Sequence, residues 1–121
     1  VRDIPTLHSK YWRLYSVERS NYFKRKATHA TLWNARMDWY LGRLDEARRK
    51  ELQWAPQPVR YVRAEAERYM DGDEVVSASA IAVSEREQRC KFLEDVIKSI
   101  NNRGFWLKTY VDWLKFSQGA G

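Results

Sequence analysis

From Thr6 to Leu41 the chain contains neither proline nor glycine. Apolar residues recur through this stretch at spacings of three and four, which predicts one long amphipathic helix. Trp12, Tyr15, Tyr22, Phe23, Ala27, Ala30, Trp33, Met37 and Tyr40 mark the apolar face. Asp3 and Pro5 suit a helix opening, and Gly42 suits its end because glycine alone enters the left-handed region freely. At about 1.5 Å per residue, the segment from Ser9 to Arg43 spans roughly 50 Å, well beyond the usual three or four turns. A helix of that length needs other helices to cover it.

The same segment carries the charge. Lys10, Arg13, Arg19, Lys24, Arg25, Lys26, Arg36 and Arg43 face only Glu18 and Asp38, and their excess equals the net charge of +6 for all 121 residues. The remainder of the chain is neutral in sum, so the positive field belongs to this helix. A pI near 9.6 with clustered Lys and Arg fits a polyanionic partner, most simply nucleic acid.

Beyond Gly42 the elements shorten. Leu44 to Leu52 reads as a short helix, acidic at its start and basic later, the order the helix dipole favours. Pro56 and Pro58 then remove donors and push their neighbours toward extended geometry. Val59 to Met70 reads as a third helix, with Val59, Val62, Ala66 and Tyr69 or Met70 facing inward. Asp71-Gly72-Asp73 marks a turn, and Asp73 or Ser77 is placed to cap the next helix.

That helix runs from Glu74 to Asn101. Val76, Val83, Cys90 and Ile97 fall seven apart, a near-heptad seam that Glu87 interrupts. Asn101-Asn102-Arg103-Gly104 predicts a break, and Phe105 to Phe116 a separate closing helix. Phe105, Trp106, Tyr110, Trp113, Leu114 and Phe116 clothe most of its circumference, more than one chain of this size can cover, so these six are the expected oligomerisation surface. The expected fold is all-α: a single elongated helical domain over residues 1–121, two long antiparallel helices with shorter connectors. The positively charged stripe lies in the first long helix and assembly contacts lie mainly in the C-terminal helices.

Little in the sequence suits catalysis. His8 and His29 lack partners at metal-ligand spacing, no glycine-rich phosphate loop is present, and Glu65/Glu67 and Glu85/Glu87 point apart on helices. The expectation is a protein that is not an enzyme, with no cofactor and no metal. Lone Cys90 fits a reducing compartment and a buried thiol. No apolar run approaches a membrane span and no signal-peptide layout is visible, so no membrane contact is expected and the chain should stay in the cytoplasm.

What remains is cation and ring. Lys24, Arg25 and Lys26 suit phosphate contacts, although at about 100° per residue one of them must face away from any single groove. Arg36, Tyr40 and Arg43 share a face at helical spacing, a guanidinium pair beside a ring on which a base can stack. The same spacing also serves a packed core. A helical adaptor docking an acidic protein partner is the competing reading of the basic stripe.

Leu32-Trp33-Asn34-Ala35-Arg36-Met37-Asp38-Trp39-Tyr40-Leu41-Gly42-Arg43 resembles the Leu-Lys-Ala-Arg-Leu-Asp-Tyr-Tyr-x-Gly-Arg segment of the UvsY recombination mediators of T-even phages. Phe92-Leu93-Glu94-Asp95, Ile100-Asn101-Asn102-Arg103-Gly104-Phe105, and Leu107-Lys108 through Asp112-Trp113-Leu114-Lys115-Phe116 are similar to the family's closing signature. Ile4-Pro5, Leu7-His8 and Lys10-Tyr11 resemble the opening of marine phage relatives. The resemblance implies a non-enzymatic, ring-like homo-oligomer of six to eight subunits that binds single-stranded DNA. It implies a mediator that helps load the phage recombinase onto strands coated by the phage single-stranded DNA-binding protein, in the cytoplasm of the infected bacterial host. Within the matching segments it adds Arg103 and Lys108 as candidate DNA contacts, serving structure, DNA or both. One family lysine is replaced by Asn34, which removes one candidate phosphate contact: either Lys24, Arg25 and Lys26 or Arg43 compensates, or this member grips DNA more loosely.

Overall fold

The computed structural model describes residues 3–119, which form four α-helices and, among the described residues, no strand. They are α1 (Asp3–Leu41), α2 (Glu46–Leu52), α3 (Arg63–Asp71) and α4 (Glu74–Gly119). Two compact units share the long helices. Residues Phe23–Glu85 form one; the described residues of Val1–Tyr22 and Arg86–Gly121 form the other.

The end of α1 follows from Gly42. With φ of 72° it turns the chain so that Arg43 N–H reaches the Asp38 carbonyl at 2.8 Å and Gly42 N–H the Trp39 carbonyl at 3.2 Å. These two bonds close the last turn and satisfy carbonyls that would otherwise be orphaned. Whether Asp3 caps the other end lies outside what the structure describes of that side chain.

The sequence predicts a second break at Asn101 to Gly104, and the structure overturns it: α4 runs unbroken through all four residues. Two asparagines and a glycine cost a helix about 2 kcal/mol together. Extending an existing helix avoids the nucleation penalty and adds one hydrogen bond per residue, and buried Ile100 anchors the turn before the weak tetrad. No chain reversal follows Gly104 to use its freedom.

The third helix also begins later than its sequence suggests. Val59 to Val62 lie outside the helix: Val59 is in a bend, Tyr61 N–H donates to the Tyr40 carbonyl at 3.1 Å, and Val62 is extended with φ −74° and ψ 159°. Val59 and Val62 are exposed rather than inward; Ala66 and Met70 are the buried residues of α3. Met37, Ala66 and Met70 form the core of the 23–85 unit, with Trp33, Tyr40, Leu41, Tyr61 and Val76 packed around them.

In the other unit the N-terminal part of α1 lies antiparallel to the later part of α4. Tyr15 Oη donates to Glu94 Oε1 at 2.7 Å and Arg86 pairs with Glu18 at 3.3 Å. Cys90, Leu93, Ile97 and Ile100 are its buried apolar residues. Burial and the neighbouring Glu18 and Glu94 carboxylates push the Cys90 thiol up, which keeps it protonated and unreactive. Past Ile100, Phe105, Trp106, Tyr110, Trp113 and Phe116 lie exposed, Phe116 at 75%, while Leu114 is half-buried.

Candidate nucleic-acid interface

The centre of the 23–85 unit is a carboxylate. Asp73 ends the turn after α3 and its side chain is 2% exposed. Its Oδ1 accepts Val76 N–H at 3.0 Å, capping α4 as the sequence suggested. Its Oδ2 accepts Arg36 Nε at 2.9 Å and Tyr40 Oη at 2.5 Å. Burial alone would raise this carboxyl, but hydrogen bonds from Tyr40, Val76 and Arg36, with the Arg36 charge, outweigh burial and hold it below the ordinary carboxylate range. Tyr40 moves the opposite way. Burial, the bond to Asp73 and that carboxylate's charge push its hydroxyl up to about 12, against a smaller lowering by Arg36.

Arg36 is held on its faces as well. Its guanidinium lies 3.9 Å from the Trp39 ring centroid and 4.8 Å from that of Trp54. Trp39 is fixed in turn by donation from Nε1 to the Ala55 carbonyl at 2.9 Å, and Arg49 donates to the Trp54 carbonyl at 2.9 Å. The segment with Pro56 and Pro58 therefore returns Trp54 to α1. Neither tryptophan is fully buried, and the Arg36 side chain keeps 13% of its surface. Nε serves Asp73, and Arg36 also acts on the Tyr40 hydroxyl beside it.

The other sequence-derived candidates sit apart from this centre. Lys24, Arg25 and Lys26 are exposed on α1, more than two turns before Arg36. Arg43 is exposed immediately beyond Gly42. Arg103 and Lys108 are exposed on α4 in the other unit. Arg36 and Tyr40 are thus the pair that the fold brings together, through Asp73, and both point toward it.

The sequence identifies Asp73 as a cap but not as the partner of Arg36 and Tyr40, which lie 37 and 33 residues away. Nor does it assign a role to Trp54, Tyr61, Arg60 or Arg68, or anything beyond packing to Tyr69. Tyr61 and Tyr69 approach Tyr40 with ring centroids 6.1 and 5.9 Å from it. The recurrence of aromatic residues on either side of the two prolines is the available signal. His29 Nδ1 lies 2.9 Å from Ser79 Oγ, and no cluster of metal-ligating residues occurs among the described residues. No helix among them is long and apolar enough to cross a membrane.

Neither the curated proteins nor the solved structures contain a match to this chain. A family model described as "Recombination, repair and ssDNA binding protein UvsY" matches residues 1–120, and by that match across the chain the protein belongs to the UvsY family.

Proposed function

We propose that the protein is a recombination mediator that binds single-stranded DNA and promotes loading of a phage recombinase onto strands coated by single-stranded DNA-binding protein. The family match over residues 1–120 carries this reading. Exposed Lys24 and Arg25 on α1, with Lys26, Arg43, Arg103 and Lys108, supply the phosphate contacts. Arg36 joins them through its Nη groups, oriented by the Nε bond to Asp73, with Tyr40 as the post behind it.

The working form is a ring-like homo-oligomer of six to eight subunits. Exposed Phe105, Trp106, Tyr110, Trp113 and Phe116, with half-buried Leu114, support that reading, because a helix so clothed gains by covering its apolar surface with another copy. Several basic helices joined in one particle turn individually weak phosphate contacts into high avidity. A strand held along them is presented to recombinase in the cytoplasm of the infected host.

The test is titration of fluorescent single-stranded and duplex oligonucleotides at several salt concentrations, with the mass of the complex determined in the same samples. The reading requires tight, salt-sensitive single-strand binding by six to eight subunits and faster recombinase filament assembly on coated strands. A monomer or dimer indifferent to single strands overturns it. Lys24→Gln with Arg25→Gln is the clean probe, since Arg36→Ala also removes the partner of a buried carboxylate.

A further inference from the structure

The arginines of the 23–85 unit outside α1 divide into two sets. Arg48, Arg49 and Arg63 are paired with Glu51, Glu46 and Glu67 along their own helices. Arg43, Arg60 and Arg68 have no carboxylate within ion-pair distance among the described residues. All three are exposed, Arg60 and Arg68 each immediately before a tyrosine in the chain. The Arg68 guanidinium lies 5.7 Å from the Tyr69 ring centroid. Arg60 lies across Gly42, so closely that a Cβ there would come within 2.5 Å of Arg60 Cγ, and Arg43 is the next residue. Glu65 and Asp71 on α3, with Asp38 and Asp45 on either side of Arg43 in the chain, are the acids near these arginines that enter no ion pair among the described residues.

The tyrosines between these arginines are graded from inside to outside. Tyr40 is anchored on Asp73; Tyr69 stacks on Tyr40 with an interplanar angle of 15°, and Tyr61 approaches Tyr69 to 4.7 Å. The backbone bond from Tyr61 to Tyr40 fixes the group. Core packing accounts for Tyr40, but not for Tyr69, which keeps 41% of its surface open. An outer ring already held in a stack loses little freedom when one more aromatic plane is added, and unpaired guanidinium groups beside it meet the phosphates of the same strand.

We propose that Tyr69 and Tyr61 form a nucleobase-stacking platform whose flanking phosphates are gripped by Arg43, Arg60 and Arg68. The proposal rests on the single-stranded DNA reading above and adds a contact region to it. Measured along α1 at the usual rise, Gly42 lies about 25 Å from Arg25, the middle of the Lys24–Lys26 triplet. One strand several nucleotides long then touches both regions.

The test compares the full chain with its Tyr69→Ala, Tyr69→Phe, Arg60→Gln/Arg68→Gln and Lys24→Gln/Arg25→Gln variants. Each binds a labelled oligothymidine and an abasic strand of equal length across a range of salt. Tyr69→Ala weakens oligothymidine binding roughly 5- to 150-fold with an unchanged salt slope, because a lost stack releases no counterions. Tyr69→Phe restores binding, and the abasic strand does not distinguish either variant from the parent chain. Arg60→Gln/Arg68→Gln lies on the surface, leaves the core untouched and lowers the log–log salt slope by about 1.4.

Parent-like binding by both the Tyr69→Ala and Arg60→Gln/Arg68→Gln variants, with Lys24→Gln/Arg25→Gln weakened, overturns the platform and leaves the DNA reading intact. Equal weakening on oligothymidine and the abasic strand by Tyr69→Ala, unrescued by Tyr69→Phe, also overturns it. A parent chain that ignores single strands removes the DNA reading itself.

Discussion

Replacing Asp73 by asparagine tests the centre of the 23–85 unit with almost no change of volume. Asp73 accepts three hydrogen bonds with two oxygens, and an amide offers one oxygen and one donor group. With the amide oxygen kept on Val76 N–H, its NH2 faces the Nε–H of Arg36, donor against donor. The Tyr40 hydroxyl can rotate to accept; Arg36 cannot. A guanidinium 13% exposed between Trp39 and Trp54 then lacks its countercharge. Breaking a buried pair in this way costs about 3–5 kcal/mol, and the remaining exposure of Arg36 puts the expected loss near ~3. Against a domain stability of about 5–15 kcal/mol that is a large fraction. Urea unfolding followed by tryptophan fluorescence, at one protein concentration, reads it from the midpoint. In a double-mutant cycle with Arg36→Met the two losses should fall short of additivity by more than ~1 kcal/mol. A loss under ~1 kcal/mol that adds independently to that of Arg36→Met refutes the reasoning. The pH dependence has a definite sign. A carboxyl lowered in the folded state stabilises fully above its unfolded pKa of about 4, and this contribution fades as pH falls through the folded value, so parent and variant converge in acid.

Tyr40 makes the alkaline counterpart. A hydroxyl raised to about 12 when folded stabilises fully below its unfolded value of about 10 and loses that contribution as pH climbs between the two. Tyrosinate absorbance should include a component near pH 12, unfolding should become easier over the same window by up to about 2–3 kcal/mol, and Tyr40→Phe should remove that component and that loss. Gly104→Ala should raise the denaturant midpoint by the equivalent of about 0.5–1 kcal/mol, since Gly104 sits inside α4 and is not among the positive-φ glycines. A fall would mean that the missing side chain makes room for a neighbour.

The long helices are legible because their signals are local and repeated: apolar spacing, a breaker-free run, and Asp73 just before Glu74. Their ends are less so. Gly42 and Gly104 both follow an apolar helical stretch, and the asparagines before Gly104 make it the stronger stop by composition. Yet Gly42 ends its helix, because the chain after it turns back to pack Tyr61 on Tyr40, whereas Gly104 is carried through by propagation. Spacing placed Arg36 and Tyr40 on one face, and they do share a partner. It could not tell that the face meets Asp73, because that contact is set by the path of the intervening chain. Val59 and Val62 fail for a related reason: the backbone bond from Tyr61 to Tyr40 holds this segment out of the helix, so helical periodicity does not apply to them.

The Asp73 cluster also decides how α1 and α4 are aligned within the 23–85 unit. Val76 and Val83 belong to a repeat of seven, and the early residues of α4 are small, so neighbouring alignments of the two helices differ little in apolar contact. Sliding by one turn, about 5.4 Å, would carry the carboxylate out of reach of both Arg36 and Tyr40 and leave it buried without donors. With the His29–Ser79 contact between the same two helices, this acidic side chain thereby sets a register that the seam alone leaves ambiguous.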